Sequence, residues 1–115
     1  MKIISPQVHA ALDFITVIFF FVAPSIIPLS DIAGTYCYLL GGIHLLLTLA
    51  TNNTGGIMRV IPFRIHGLIE LFVAFFLGIM AATYFRSSFN DHLFFAIVAV
   101  VIVVVFLLTD FIRKP

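Results

Sequence analysis

The chain has 115 residues, of which 63% are hydrophobic and only 10% are charged, and its formal net charge is +1. Soluble domains carry about 25% charged residues, so this composition excludes an ordinary soluble domain and indicates a surface that lies largely in lipid. The small net charge argues against a nucleic-acid partner, and the single cysteine excludes an internal disulfide and a CxxC motif. We therefore predict a single transmembrane domain over residues 1–115, all-α in class, with membrane lipid as its surroundings.

Four apolar stretches follow one another along the chain, each close to the roughly 20 residues that a helix needs to cross a bilayer. They predict helices at about residues 6–23, 31–51, 62–85 and 89–112. Ser5 and Ser30 are favourable N-caps for the first two, Pro6 suits a first helical position, and Pro24 is expected to end the first helix. Short connections between the four helices predict an up-down-up-down transmembrane four-helix bundle.

The basic residues are distributed unevenly over the predicted loops. Five of them lie at the N-terminus, in the second loop and at the C-terminus: Lys2, Arg59, Arg64, Arg113 and Lys114. Arg86 alone lies on the other side. Because short loops rich in Lys and Arg stay in the cytoplasm, we expect both termini to be cytoplasmic.

The two predicted hairpins share a sequence pattern. His9 and Asp13, near the start of the first helix, recur 57 residues later as His66 and Glu70, near the start of the third helix. Each pair follows a proline and has the i, i+4 spacing that places two side chains on one helix face. The pattern predicts an internal repeat of two helical hairpins, related by an axis along the membrane normal.

An antiparallel bundle brings these pairs toward one membrane face. The starts of the first and third helices lie beside the ends of the second and fourth, where His44 and Asp110 are found. We expect the bundle interior to gather His9, Asp13, His44, His66 and Glu70, with Asp110 as a solvated carboxylate or a partner of a histidine. His92 falls at the opposite face, and Cys37 is predicted to serve packing alone.

Carboxylates within the hydrocarbon need compensation, since each costs roughly 2.5 kcal/mol or more. Three imidazoles and two carboxylates suit a zinc, iron or manganese site, mononuclear or dinuclear, which is the leading hypothesis and leaves open whether the protein is an enzyme. The alternatives are haem b held by His9 and His66, a proton or ion pathway, and a hydrogen-bonded network that only fixes helix packing. If the protein is an enzyme, the depth of the site in the membrane favours a lipid-soluble substrate, and a homo-oligomer is a further possible partner.

The segments His9-x-x-x-Asp13, Ala23-Pro24-Ser25 and His66-Gly67-x-x-Glu70 carry a resemblance that covers the whole chain. It resembles small uncharacterised bacterial four-helix membrane proteins, and its hairpins are distantly similar to those of the SPW-repeat family. The chain has no tryptophan, so the signature tripeptide of that family is not met. The resemblance implies the four-helix fold and the bacterial inner membrane, but it supplies no activity and no ligands.

Overall fold

The computed structural model describes residues 2–112 and confirms the predicted fold class. Within this range the chain forms four helices: α1 (Pro6–Ile26), α2 (Asp31–Ala50), α3 (Phe63–Ala82) and α4 (Phe89–Leu108). The described residues contain no strand longer than an isolated β-bridge. Every helix is at least 20 residues long and apolar enough to cross a membrane, so the chain has the architecture of an integral membrane protein.

Serine side chains cap three of the four helices. The hydroxyl oxygens of Ser5 and Ser30 accept the backbone N–H groups of Val8 and Ala33, each at 3.2 Å. Ser88 caps α4 in the same way. These contacts satisfy amide groups that have no partner inside the helix, and they confirm the predicted caps of α1 and α2.

Three helices end where the sequence did not predict. Helix α3 ends at Ala82, three residues before its predicted end, because the chain turns over residues 83–87. Helix α1 continues through Pro24 to Ile26, because a proline in the last turn removes a single hydrogen bond and the amide of Ile27 still reaches the carbonyl of Ala23 at 2.8 Å. Helix α4 ends at Leu108, four residues before its predicted end, because Thr109 becomes extended and pairs with another segment of the chain. The end of α1 thus follows from local hydrogen bonding, and that of α4 follows from a tertiary contact.

Close packing joins α1 to α2 and α3 to α4, as expected for two hairpins. Small residues bring these helices together: a Cβ atom at Gly41 would lie only 3.0 Å from the ring of Phe21. The hydrophobic core lies in the half of the bundle away from the starts of α1 and α3, and is built from Phe20, Ala23, Ala33, Cys37, Leu77, Ala81, Phe85, Phe94, Phe95 and Ala99. Cys37 is fully buried in this core, which confirms its predicted packing role.

The two hairpins are joined to each other by equivalent short pairings. Ile4, just before α1, pairs with Thr109 after α4, and Ile61, just before α3, pairs with Thr51 after α2. The amide of Ile4 donates to the carbonyl of Leu108 at 2.9 Å, and the corresponding bond of Ile61 has the same length. The bundle is therefore closed as a ring in the order α1, α2, α3, α4, with α1 and α3 on one diagonal.

At the opposite membrane face a buried carboxylate ties α4 to α2. Asp91 accepts the backbone N–H of Ser30 at 3.0 Å and also its hydroxyl. Replacing Asp91 with alanine should lower the free energy of unfolding by about 1–3 kcal/mol, because it removes two hydrogen bonds from Ser30 to a charged carboxylate. The exposed Asp31, also in the first turn of a helix, is the matched control and should cost at most about 1 kcal/mol when replaced by alanine. Thermal unfolding in detergent measures the stability of both variants. Equal losses of stability would contradict the role assigned to Asp91 in joining α4 to α2.

Candidate metal centre

The predicted histidine–carboxylate pairs of α1 and α3 meet inside the bundle. Both helices begin at the same membrane face, and their first turns approach each other across the diagonal of the ring. One donor atom from each of His9, Asp13, His66 and Glu70 lies within 4.8 Å of all the others. Both histidines are fully buried, and Asp13 is buried beside them.

Each carboxylate contacts both histidines through their Nε2 atoms. The Nε2 of His9 lies 3.0 Å from Glu70 Oε1 and 3.2 Å from Asp13 Oδ1. The Nε2 of His66 lies 3.3 Å from Asp13 Oδ2 and 3.4 Å from Glu70 Oε1. The contacts within a helix and across the bundle are thus of similar length, and they define one cluster rather than two separate pairs.

His44 of α2 approaches the same carboxylates from a third direction. Its Nε2 lies 3.4 Å from Asp13 Oδ1 and 3.6 Å from Glu70 Oε2. Its side chain is 14% exposed, compared with 1% for those of His9 and His66, so it stands at the edge of the cluster. The structure therefore brings all five predicted residues together, with His44 as the outermost.

Two threonine hydroxyls fix which ring nitrogen of the buried histidines carries a proton. The Nδ1 atom of His66 lies 2.7 Å from the Thr51 hydroxyl, and that of His9 lies 2.9 Å from the Thr109 hydroxyl. Each threonine donates its one hydroxyl proton to the backbone carbonyl four residues earlier. The threonine oxygen must then accept a proton from Nδ1, which assigns the neutral rings a lone pair at Nε2.

This assignment leaves the centre of the cluster rich in electron pairs. The Nε2 lone pairs face carboxylate oxygens, which are acceptors themselves. Within residues 2–112, the buried Nε2 atoms of His44 and His66 have no hydrogen-bond partner. Two carboxylates in apolar surroundings need a nearby positive charge. A cation bound between the nitrogen and oxygen atoms of the cluster would supply it.

The distances suit one metal ion. Around an ion with bonds of about 2.0–2.2 Å, neighbouring donor atoms are roughly 2.8–3.1 Å apart at a right angle and roughly 3.3–3.6 Å apart at the tetrahedral angle. The nitrogen–oxygen distances of the cluster run from 3.0 to 3.6 Å. Imidazole and carboxylate donors together are typical of zinc, iron and manganese sites.

The same geometry is unfavourable for haem. A haem held by His9 and His66 would need its porphyrin plane to pass between their two Nε2 atoms. Glu70 Oε1 occupies this space, since it lies 3.0 Å from one nitrogen and 3.4 Å from the other. A small ion can bind all three atoms at once, whereas a porphyrin would have to displace the carboxylate.

Different surroundings cover the two sides of the cluster. Toward the starts of α1 and α3, the rings of Phe63 and Phe111 pack against His9, with ring centroids 5.1 and 5.7 Å from its own. Toward the middle of the bundle lies a cavity of about 400 Å³ that Asp13, His44 and Glu70 help to line. The cluster is thus screened by aromatic rings on one side and faces open space on the other.

The remaining candidates lie outside the cluster. The carboxylate of Asp110 accepts the amide of Ile112 at 3.1 Å, while its neighbour Thr109 holds His9. His92 is at the opposite membrane face, where its Nδ1 pairs with the carbonyl of Ala81 at 2.7 Å. Arg113 and Lys114 lie outside the described residues.

Sequence reasoning did not assign Thr51 and Thr109 a role in the site. Both follow the last residue of a helix and stand 58 residues apart, nearly the spacing that relates the two histidine–carboxylate pairs. That correspondence was a usable signal. It could not reveal that each threonine contacts the histidine of the other hairpin: Thr109 contacts His9, and Thr51 contacts His66.

Replacing Thr51 with valine tests its orienting role. The variant keeps the shape of the side chain but removes the acceptor for His66 Nδ1, so metal affinity should fall about 10- to 100-fold. Thr83→Val is the matched control, because the Thr83 hydroxyl also donates to the carbonyl four residues earlier but lies exposed, away from the cluster. Competition titration with a chromophoric chelator gives both affinities. An unchanged affinity in Thr51→Val would contradict the assignment, and Thr51→Ser should restore binding.

Fold and site together define the chain as a four-helix integral membrane protein with a buried His/carboxylate group that could hold a metal ion. In comparison with known proteins, no family model, no curated protein and no solved structure matches the chain.

Proposed function

We propose that this protein binds one transition-metal ion, of zinc, iron or manganese, inside the membrane. The ligands are drawn from His9, Asp13, His44, His66 and Glu70. The observation that carries the proposal is the orientation of His9 and His66, whose Nδ1 atoms are held by threonine so that both Nε2 lone pairs point at two carboxylates. Metal-binding histidines commonly donate the N–H of their second ring nitrogen to an orienting partner in this way.

The competing hypotheses receive less support from the same contacts. A b-type haem redox protein requires the position that Glu70 Oε1 occupies. A proton or ion pathway requires a continuous polar route, whereas the cavity beyond the cluster is lined mainly by aliphatic side chains. A packing module without ligand would need protonated rings, because only a proton on Nε2 turns the contacts with the carboxylates into hydrogen bonds.

Elemental analysis and an absorption spectrum of detergent-purified protein, never exposed to chelators, test the proposal. We expect about one transition-metal ion per chain and no Soret band. A Soret band would overturn the proposal in favour of a b-type cytochrome. A folded, monodisperse preparation without metal or colour, which also binds no added zinc, iron or manganese, would overturn it in favour of the packing module.

We further propose that the metal centre lies near the cytoplasmic face of a bacterial inner membrane. The uneven distribution of basic residues supports this orientation, since Lys2, Arg59 and Arg64 lie on the side where α1 and α3 begin and Arg86 lies on the other. The resemblance to bacterial four-helix proteins and to the SPW-repeat family supports the location. The equivalent pairings of the two hairpins support an origin by duplication.

A further inference from the structure

We propose that the metal centre binds the neutral, oxygen-bearing head group of a single-chain hydrocarbon, such as a long-chain alcohol or carbonyl compound. This molecule would enter the site from the lipid bilayer. This inference rests on the proposed metal site and names the class of molecule that would reach it. Three observations carry it: the lining of the cavity, the side on which it opens, and the missing donor on α4.

The cavity beside the cluster is built for an apolar chain. Its volume of about 400 Å³ lies toward the lower end of the roughly 300–1,000 Å³ of ligand pockets, which suits one chain rather than a two-chain lipid. Leucine, isoleucine, valine and phenylalanine side chains from all four helices form most of its wall. The polar lining residues are Asp13, His44 and Glu70 at one end and Thr16, whose hydroxyl donates to the carbonyl of Leu12 at 2.8 Å. The polar end of the cavity is therefore the metal centre.

The cavity opens toward the lipid rather than toward water. Several lining residues also belong to the exposed outer surface of α1 and α4, among them Ile15, Phe19, Ile97 and Val101. These two helices pack less closely against each other than the helices within each hairpin. On the aqueous side, Phe63 and Phe111 cover His9. A molecule that reaches the centre through the cavity must come from the hydrocarbon.

The repeat leaves one position of the centre without a protein donor. His44 of α2 corresponds to Ile102 of α4 by the 58-residue spacing that relates Thr51 to Thr109. Ile102 has no donor atom and lines the cavity, so His44 has no equivalent ligand on α4. A bound ion would thus be held by His9, His66, His44 and the carboxylates, and the cavity would adjoin it on the side of Ile102.

Charge selects a neutral head group for that space. Asp13 and Glu70 together balance a divalent ion, while the imidazoles contribute no charge when neutral. An anionic head would leave a net negative charge in an apolar cavity, which is costly because the surroundings cannot solvate it. A hydroxyl or carbonyl oxygen can complete the coordination without this cost.

Cobalt(II) bound in place of the native ion provides the readout, because its visible spectrum changes with coordination. The protein would be reconstituted in phosphatidylcholine nanodiscs, loaded with Co²⁺ and titrated with decan-1-ol, decanal, sodium decanoate and ethanol. We expect a saturable spectral change with decan-1-ol or decanal, and none with decanoate or ethanol at the same concentrations. The Ile102→Phe variant, whose added bulk fills the cavity, should keep Co²⁺ but weaken this response at least tenfold. Leu107→Phe, on the exposed face of the same helix, should behave as the unmodified protein.

The outcomes separate the two proposals. Failure to bind Co²⁺ in the folded protein would refute the metal centre itself. Binding of Co²⁺ with no response to either neutral probe would refute only the lipid-soluble ligand. A response to decanoate alone would replace the neutral head with an anionic one, and equal responses in Ile102→Phe and the unmodified protein would place the ligand outside the cavity.

Discussion

Replacing His66 with alanine is expected to abolish stoichiometric metal binding. The variant removes a fully buried nitrogen donor that lies within 3.4 Å of both carboxylates. It also leaves the hydroxyl of Thr51 without the ring that it orients. Since the ion would lose a ligand at the centre of the cluster, we expect at least a 100-fold lower affinity and no metal after purification, measured by elemental analysis.

His92→Ala is the matched control for this variant. It removes a histidine that is hydrogen-bonded and partly buried but lies at the other membrane face, so metal content should be unchanged. His44→Ala provides a second test with a smaller packing defect, because this ring stands at the edge of the cavity. Full metal content in well-folded His66→Ala and His44→Ala proteins would refute the assigned ligands.

Removal of the metal ion is expected to destabilise the folded protein. A ligand that binds only the native state stabilises it by about 4 kcal/mol when its concentration is 1,000 times its dissociation constant. Without the ion, Asp13 and Glu70 lose the positive charge that balances them in apolar surroundings, which adds to this loss. Thermal unfolding before and after treatment with a chelator measures the difference.

The double variant Asp13→Asn/Glu70→Gln identifies the origin of this metal dependence. It keeps the size of both side chains but removes the two charges that hold the ion. We expect its melting temperature to be insensitive to chelator and to added metal. A packing module would behave differently, because unmodified protein would then melt at the same temperature with and without metal. That result would contradict the proposed function.

The fold could be predicted from the sequence because hydrophobic length and capping residues act locally. The caps at Ser5 and Ser30 are examples. The site could be predicted because the two i, i+4 pairs lie at the starts of α1 and α3, which run in the same direction and begin at the same membrane face. The end of α1 was wrong because Pro24 marks a helix end only in the absence of other contacts, and here the chain continues for two residues. The end of α4 was wrong because Thr109 pairs with Ile4, a contact that no local pattern contains.

The cavity also could not be predicted, for a related reason. Residues such as Leu12 and Val98 are ordinary aliphatic positions in an apolar helix, and nothing in their identity indicates open space. Whether side chains from four helices meet or leave a void depends on how far apart the helices stand. That distance depends on packing throughout the bundle, including close approaches such as that of the Phe21 ring to Gly41.

Each buried histidine is oriented by a threonine of the other hairpin, and this has a consequence for the order of events during biosynthesis. His9 enters the membrane first, but Thr109, which orients it, follows the last helix. Likewise, His66 of the second hairpin is oriented by Thr51 of the first. Neither hairpin alone contains an oriented histidine, so the complete centre forms only after both hairpins have been inserted and have docked. Metal uptake would then mark the chain as fully assembled, and a nascent or truncated chain would remain metal-free.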